Sequence, residues 1–229
     1  MLNIEDRMKR YENVSKYFLP RRIPVIIRID GRSFHTLTRK LFMKGYDVNF
    51  ISKMQQLSLF MRENIMGCKF CYSQSDEISF LLTDYKTIQT EPWFGYNLQK
   101  IVSISASLAS SVFSDLCNTR VSFDSRAFSL PADDVCNYFI WRQQNAIINA
   151  IQMAGQEQFS HKELKNVSCS EIREMLLDKN IDFEQFPILR QRGFCVLKDE
   201  LKGTILDEEI PVFSQDRTYI EKFVNIRED

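Results

Sequence analysis

A chain of 229 residues with 44% hydrophobic content and 18 phenylalanines can bury a full-sized core, as one large domain or as a core with an attachment. Thirty basic and thirty acidic residues cancel to a formal net charge of zero, so no global field advertises a polyanion, and any such partner must be met by local patches. No apolar run approaches the length of a membrane span. Six scattered cysteines read as reduced thiols, and the charged opening Met1-Leu2-Asn3-Ile4-Glu5-Asp6-Arg7 does not read as a signal peptide, so a cytoplasmic protein is expected. Cys68-Lys69-Phe70-Cys71 has no second CxxC, and only His35 and His161 could complete a zinc site, which favours ordinary strand cysteines.

In chain order, Ile4, Met8, Tyr11 and Tyr17 among charges suggest an amphipathic opening helix within residues 4–17. Pro20 and Pro24 bracket Arg21-Arg22 and lead into a buried strand, 25–29, which ends at Asp30-Gly31. Arg32 to Thr38 then reads as a polar, hydroxyl-rich turn. Phe50, Met54, Leu57, Met61 and Ile65 mark one face of a helix capped by Asn49, with Gly67 past its end. Residues 68–82 read as a hairpin whose polar turn holds Asp76 and Glu77. A helix follows from about Asn97 to Leu116, rich in small residues that permit close approach to a backbone or a nucleotide. Two short strands, 121–123 and 127–130, flank Asp124-Ser125-Arg126. The order βαββαβ is the split pattern of a ferredoxin-like sheet. Pro131 opens a helix to about Ala154, and Ser168 with Glu171 forms a capping box for a short helix to Lys179. Strands are expected at 194–197 and 210–213. The fold class is therefore α+β: a palm-like antiparallel core over 1–130 with helices on one face, and helical and strand additions over 131–229 packed on it as one unit.

One acid ending the first strand and two at the central hairpin suit hard divalent cations, which take carboxylates together with substrate phosphates. Gly31 to Phe34, Arg32, Lys44, Lys100, Arg126 and Ser75 are the donors a triphosphate needs. Singly, each has a plainer reading as a surface lysine, a loop histidine, a turn cap or an Asp124–Arg126 pair. Their joint placement carries the hypothesis.

The runs Arg28-Ile29-Asp30-Gly31-Arg32-Ser33-Phe34-His35, Phe42-Met43-Lys44-Gly45-Tyr46-Asp47, Tyr72-Ser73-Gln74-Ser75-Asp76-Glu77-Ile78-Ser79-Phe80, Phe123-Asp124-Ser125-Arg126 and Trp141-Arg142-Gln143 resemble the histidine-tRNA guanylyltransferase family. The resemblance implies a palm core working in the 3′ to 5′ direction. A tRNA 5′ monophosphate is activated with a triphosphate, usually ATP, and the 3′ hydroxyl of an incoming GTP or other NTP then attacks it. By position, Asp30 and Asp76 would hold two Mg²⁺ with the Gly31 carbonyl, and Glu77 would support the metal site or the proton transfers. Gly31, Arg32, Ser33, Phe34, His35 and Ser75 would bind the nucleotide, with Lys44, Lys100 and Arg126 neutralising its phosphates.

Where eukaryotic members that read the histidine anticodon carry His-Ile-Asn-Asn, this chain has Ile147-Ile148-Asn149-Ala150, and Ile147 has no group for a base edge. The resemblance is thus to the guanylyltransferase-like branch that repairs 5′-truncated tRNAs on a template. Lys9, Arg10, Arg21, Arg22, Arg39, Lys40, His161, Lys162, Lys165, Arg190 and Arg192 form the pool for RNA phosphates. A homotetramer, a dimer of dimers, is implied by the resemblance. The alternatives are single G addition to histidine tRNA, a palm-fold nucleotide cyclase and a non-catalytic RNA-binding relative.

Overall fold

The β-branched run Val25–Gly31 is the centre of the molecule, strand β1, with Val25, Ile26, Ile27 and Ile29 fully buried. The computed structural model describes residues 3–43, 45–199 and 203–225. Around β1 the chain builds α1 (Ile4–Asn13), α2 (Phe34–Leu41), α3 (Val48–Asn64), β2 (Cys68–Gln74), β3 (Glu77–Leu82), α4 (Leu98–Cys117) and β4 (Phe123–Ser129). It continues with α5 (Ala132–Gln158), α6 (Cys169–Leu177), α7 (Ile188–Arg192), β5 (Phe194–Asp199), β6 (Gly203–Asp207) and α8 (Thr218–Glu221). The six strands form one antiparallel sheet in the order β4-β1-β3-β2-β5-β6, so the split-pattern core is extended at one edge by the two late strands.

Strand alternation decides what covers each face. Val25, Ile27, Ile29, Ile78 and Phe80 meet Met54, Leu57 and Met61 of α3 and Ile101, Ala109 and Phe113 of α4. Ile26, Phe70, Tyr72 and Leu81 face the other way, onto Val135 and Phe139 of α5 and onto Ile210, Phe213 and Phe223 of the C-terminal segment. Helix α5 has 27 residues, about 40 Å at the usual rise, so its second half overruns the sheet. There Ile151 and Ala154 pack on Ile172 and Leu176 of α6, which the Ser168–Glu171 capping box starts.

Several expectations change. The run after Arg32 is a helix, not a turn, because Phe34 anchors it among Phe50, Phe113 and Phe123 at 4.9–6.3 Å between ring centres. The cap of helix α3 is Asp47, two residues before the expected Asn49, and it accepts from Phe50 N at 3.0 Å. The two short strands around Asp124-Ser125-Arg126 are one strand, paired to β1 from Phe123 to Ser129. Residues 210–213 are irregular: Gln143 of α5 donates to Pro211 O at 2.9 Å and accepts from Phe213 N at 2.8 Å, satisfying backbone that a strand partner would otherwise engage. By length and composition α4 could cross a membrane, contrary to the expectation, although Ile101, Ser105, Ala109 and Phe113 pack it on the sheet. Its small residues serve close packing on the β4 side: Ser105 Oγ lies 2.7 Å from Ser125 Oγ, and Ser110 Oγ accepts from Phe123 N at 2.9 Å. All six cysteines are free thiols, and burial pushes Cys68 up to about 12. No group of three or more His, Cys, Asp or Glu with metal-ligand placement occurs among the described residues.

Gly193, between α7 and β5, has φ +81, and a Cβ there would lie 2.2 Å from Ser73 O. Gly193→Ala is expected to destabilise the fold by about 2 kcal/mol, read as a lower urea midpoint with unchanged slope.

Candidate active site

The β2–β3 hairpin turns on two residues, Ser75 and Asp76, with Ser75 in the left-handed region at φ 49. Ser75 Oγ donates to Asp76 Oδ1 at 3.0 Å. The Asp76 carbonyl accepts from Gly31 N at 3.1 Å, which ties the hairpin tip to the end of β1. Asp30, one residue before that link, pairs in register with Glu77 on one side and Asp124 on the other. Alternation places these three carboxylates in a row on the face that carries α5. The next row inward is Arg126, Arg28 and Ser79.

Like charges directly opposite on neighbouring strands repel. Burial raises Asp30 above the ordinary carboxylate range and Asp124 adds to the rise, while Arg28, Arg126 and Arg142 oppose it. Burial raises Asp76 as well, and Asp30 beside it pushes the same way. Glu77 is different. Burial pushes it up, but Arg142 Nε and Nη2 donate to its two oxygens at 2.7 and 2.6 Å, and Arg28 Nη1 stands 3.9 Å away. The net direction is still upward, but this bidentate fork engages both Glu77 oxygens and gives Glu77 more opposing positive charge than its neighbours have, the place of a residue that supports the acid site through Arg142. Asp30 and Asp76 are the pair left short of positive charge, and two carboxylates so placed fit Mg²⁺, which needs few protein ligands when substrate phosphates supply the rest.

Beside Ser75 opens a cavity of about 700 Å³ between the residues of and around α2, α3, α5 and α7. His35, Arg39, Phe42, Asn149 and Arg190 are among its walls. Asp47 also lines it, but its carboxylate is taken by backbone, accepting from Met43 N at 2.7 Å and from Phe50 N. Burial alone would raise Asp47; the N–H groups of Met43, Phe50 and Asn49 outweigh that and hold it low. One wall is bracketed by Glu157, which accepts from Tyr46 N at 3.2 Å and from Arg190 Nη2 at 2.7 Å. The Arg190 guanidinium lies over the Phe186 ring at 3.8 Å and the Tyr46 ring at 5.3 Å.

The structure gathers Asp30, Gly31, Ser75, Asp76, Glu77 and Arg126 at one end of the sheet, with His35 on the cavity wall. Arg32 and Ser33 are exposed at the entry to α2. Phe34 is moved from the ligand set to the core, since its ring packs against Gly31, where a Cβ would lie 2.3 Å from it. Lys100 is not at the site. Ser105 of α4 is level with Ser125, and Lys100 lies five residues further from the acid end, about 7 Å by helix rise. Lys44 lies outside the described residues. Of the RNA pool, Arg21 is engaged by Asp84, Glu91 and the Thr90 carbonyl, Arg190 by Glu157, Arg192 by the Ile210 carbonyl, and Lys9 by Glu5. Arg10, Arg22, Arg39, Lys40, Lys162 and Lys165 are exposed, and Arg39 lines the cavity. Asp124 reaches the site through strand register and Arg142 through the packing of α5 on the sheet, neither of which neighbouring residues reveal; the alternation of Asp124 with Arg126 beside Phe123 is the sequence signal for the first.

An antiparallel palm that presents two under-compensated acids beside a nucleotide-sized cavity defines a nucleotidyltransferase. The chain belongs to the tRNAHis guanylyltransferase family, whose model matches residues 5–131. It is similar to a bacterial tRNA(His) guanylyltransferase-like protein solved in complex with ATP, at 43% identity and TM-score 0.93, covering 97% of this chain and 100% of that one. A bacterial guanylyltransferase-like protein solved in complex with GTP is 40% identical with TM-score 0.87, covering 97% and 99%. A probable tRNA(His) guanylyltransferase of Dictyostelium discoideum is 26% identical over 221 residues, covering 85% of this chain and 84% of that one.

The raised Asp76 sets a sign. The native state holds this proton more tightly than the unfolded chain, so stability falls as pH rises from the ordinary carboxylate value through the raised one, and that stability is absent above it. Without divalent cation, Asp76→Asn is expected to have a higher Tm than wild type at pH 7, with the gap closing toward pH 4. Thermal melts across that range check it, and a lower Tm at pH 7 contradicts it.

Proposed function

We propose that this protein extends the 5′ end of tRNA in the 3′ to 5′ direction, choosing each nucleotide by pairing with the opposing strand. The observation that carries the reading is the Gly31–Asp76 backbone link, which holds two under-compensated acids together beside a cavity. In the first step an oxygen of the RNA 5′ phosphate attacks the α-phosphorus of ATP and pyrophosphate leaves. In the second, the 3′ hydroxyl of the incoming NTP attacks the activated 5′ phosphorus and AMP leaves.

Asp30, Asp76 and the Gly31 carbonyl would hold two Mg²⁺, which when bound would polarise phosphoryl oxygens and stabilise charge on the attacking and leaving oxygens. Arg126, half-exposed, one row from Asp30 and paired with Asp124 at 3.4 Å, would take charge from departing phosphate. Ser75 keeps the Asp76 carboxylate oriented. Two features favour templated repair over G addition to histidine tRNA. Asp47, the carboxylate in the cavity wall, is consumed by backbone and cannot read a base edge. Ile147 packs against the α5–α6 cluster, with no polar group for an anticodon. A homotetramer accords with the exposed apolar residues Ile4, Met8 and Tyr11 on α1, a helix that buries none of its own residues.

The test is a 5′-monophosphorylated tRNA lacking its first nucleotide, incubated with Mg²⁺, ATP and each NTP in turn. Addition of only the complementary nucleotide is expected, reduced at least about 100-fold by Asp76→Ala. If full-length histidine tRNA proved the sole acceptor, gaining G whatever the opposing base, templated repair would be overturned.

A further inference from the structure

Trp141 stands on α5 with 49% of its surface exposed, although it is among the largest apolar side chains in the protein. It is nevertheless held in one orientation. With the Asn145 amide oriented so that its oxygen meets the two donors around it, Trp141 Nε1 donates to that oxygen at 3.1 Å and Arg142 Nη1 at 3.2 Å. The Arg142 guanidinium lies over the ring at 4.6 Å, and Tyr138 meets it at 66° with 6.0 Å between centres. A ring with its polar edge satisfied and one face against a cation presents its exposed half as a flat apolar surface, the form that stacks on a nucleobase.

Its position gives that surface a use. The same Arg142 forks onto Glu77, which is in register with Asp30, so one side chain separates the indole from the acid row. Arg126, in the row behind Asp30, is 55% exposed on the same face of the sheet. The cavity with Ser75, His35 and Arg39 in its walls borders the hairpin at Gln74 and Ser75, and neither Trp141 nor Arg126 lines it. The acid end of the sheet therefore has a part-open cavity sized for one nucleotide beside the hairpin and, on the α5 face, an open platform next to two guanidinium groups, Arg142 paired with Glu77 and Arg126 paired with Asp124 at 3.4 Å. An open platform suits the end of a polymer, whose chain must continue outward.

We propose that Trp141 stacks on the 5′-terminal base of the RNA being extended and so positions its 5′ phosphate at the acids, an assignment that rests on the activity proposed above. The indole adds no sequence reading, since every base has a face to stack, and this matches selection by template.

The protein has two tryptophans, and the other, Trp93, is buried. Trp93→Phe therefore leaves Trp141 as the sole indole emitter. In that protein, a 5′-monophosphorylated RNA hairpin with a 5′-terminal purine is expected to quench the emission saturably, and the same hairpin with an abasic 5′ nucleotide to quench it less. In wild-type background, Trp141→Ala is expected to raise KM for RNA roughly tenfold with little change in kcat or in KM for the triphosphate, and Trp141→Tyr to restore it. Unchanged emission at saturating RNA, or an unchanged KM for RNA in Trp141→Ala, overturns the proposal. Quenching by ATP alone, with the KM effect falling on ATP, gives the platform to the free nucleotide and also overturns it. Wild-type transfer assayed in parallel separates the two readings. If wild type extends RNA and Trp141→Ala does so equally, the platform fails and the activity stands; if wild type extends no RNA, the activity fails and the quenching decides the platform alone.

Discussion

Like charge gathered on adjacent strands is the constraint on which this structure turns. Asp124, Asp30 and Glu77 sit in one cross-strand row and Asp76 caps it, an arrangement that costs energy in a partly buried setting. The antiparallel ladders of β1 with β3 and β4 fix the row, and the Gly31–Asp76 backbone hydrogen bond holds the fourth acid to it. Arg142 and Arg28 pair with Glu77 and offset burial at Asp30 only in part. What they leave uncompensated is the pair that a divalent cation would complete. Local rules of charge pairing are thus broken at the one place where a ligand restores them.

Helix α5 is the second organising feature. Along its length Arg142 reaches the acid row, Gln143 fastens the C-terminal segment, and Glu157 holds the Tyr46 backbone and Arg190. The sheet, the tail and the cavity wall are therefore set relative to one another by a single rigid element. The Trp141-Arg142-Gln143 motif acquires a physical meaning this way: Gln143 faces the tail, Arg142 the acids, and Trp141 the solvent beside them.

Much of the fold was legible because it is local. The buried strand into Asp30, the hairpin around Asp76 and the helices α3, α4 and α5 follow from side-chain period and from turn residues. Misreadings fell where composition and packing disagree. Helix α2 looks like a polar turn, but Phe34 finds an aromatic cluster built from α3, α4 and β4. Asp124-Ser125-Arg126 looks like a turn because only the partner strand β1 keeps it extended. Lys100 looks like a phosphate ligand until the direction of α4 along β4 carries it away from the acids.

Residue order alone determined the element sequence, the acids at a strand end and a hairpin tip, and the family motifs, since each depends on neighbours within a few positions. Tertiary structure alone decided which charges are free. Glu77, Asp47, Arg190 and Arg192 are committed to partners distant in the chain or to backbone, whereas Asp30 and Asp76 remain under-compensated. Desolvation and pairing act through space, so the chemical availability of a carboxylate or a guanidinium is a property of its packed surroundings and not of its motif.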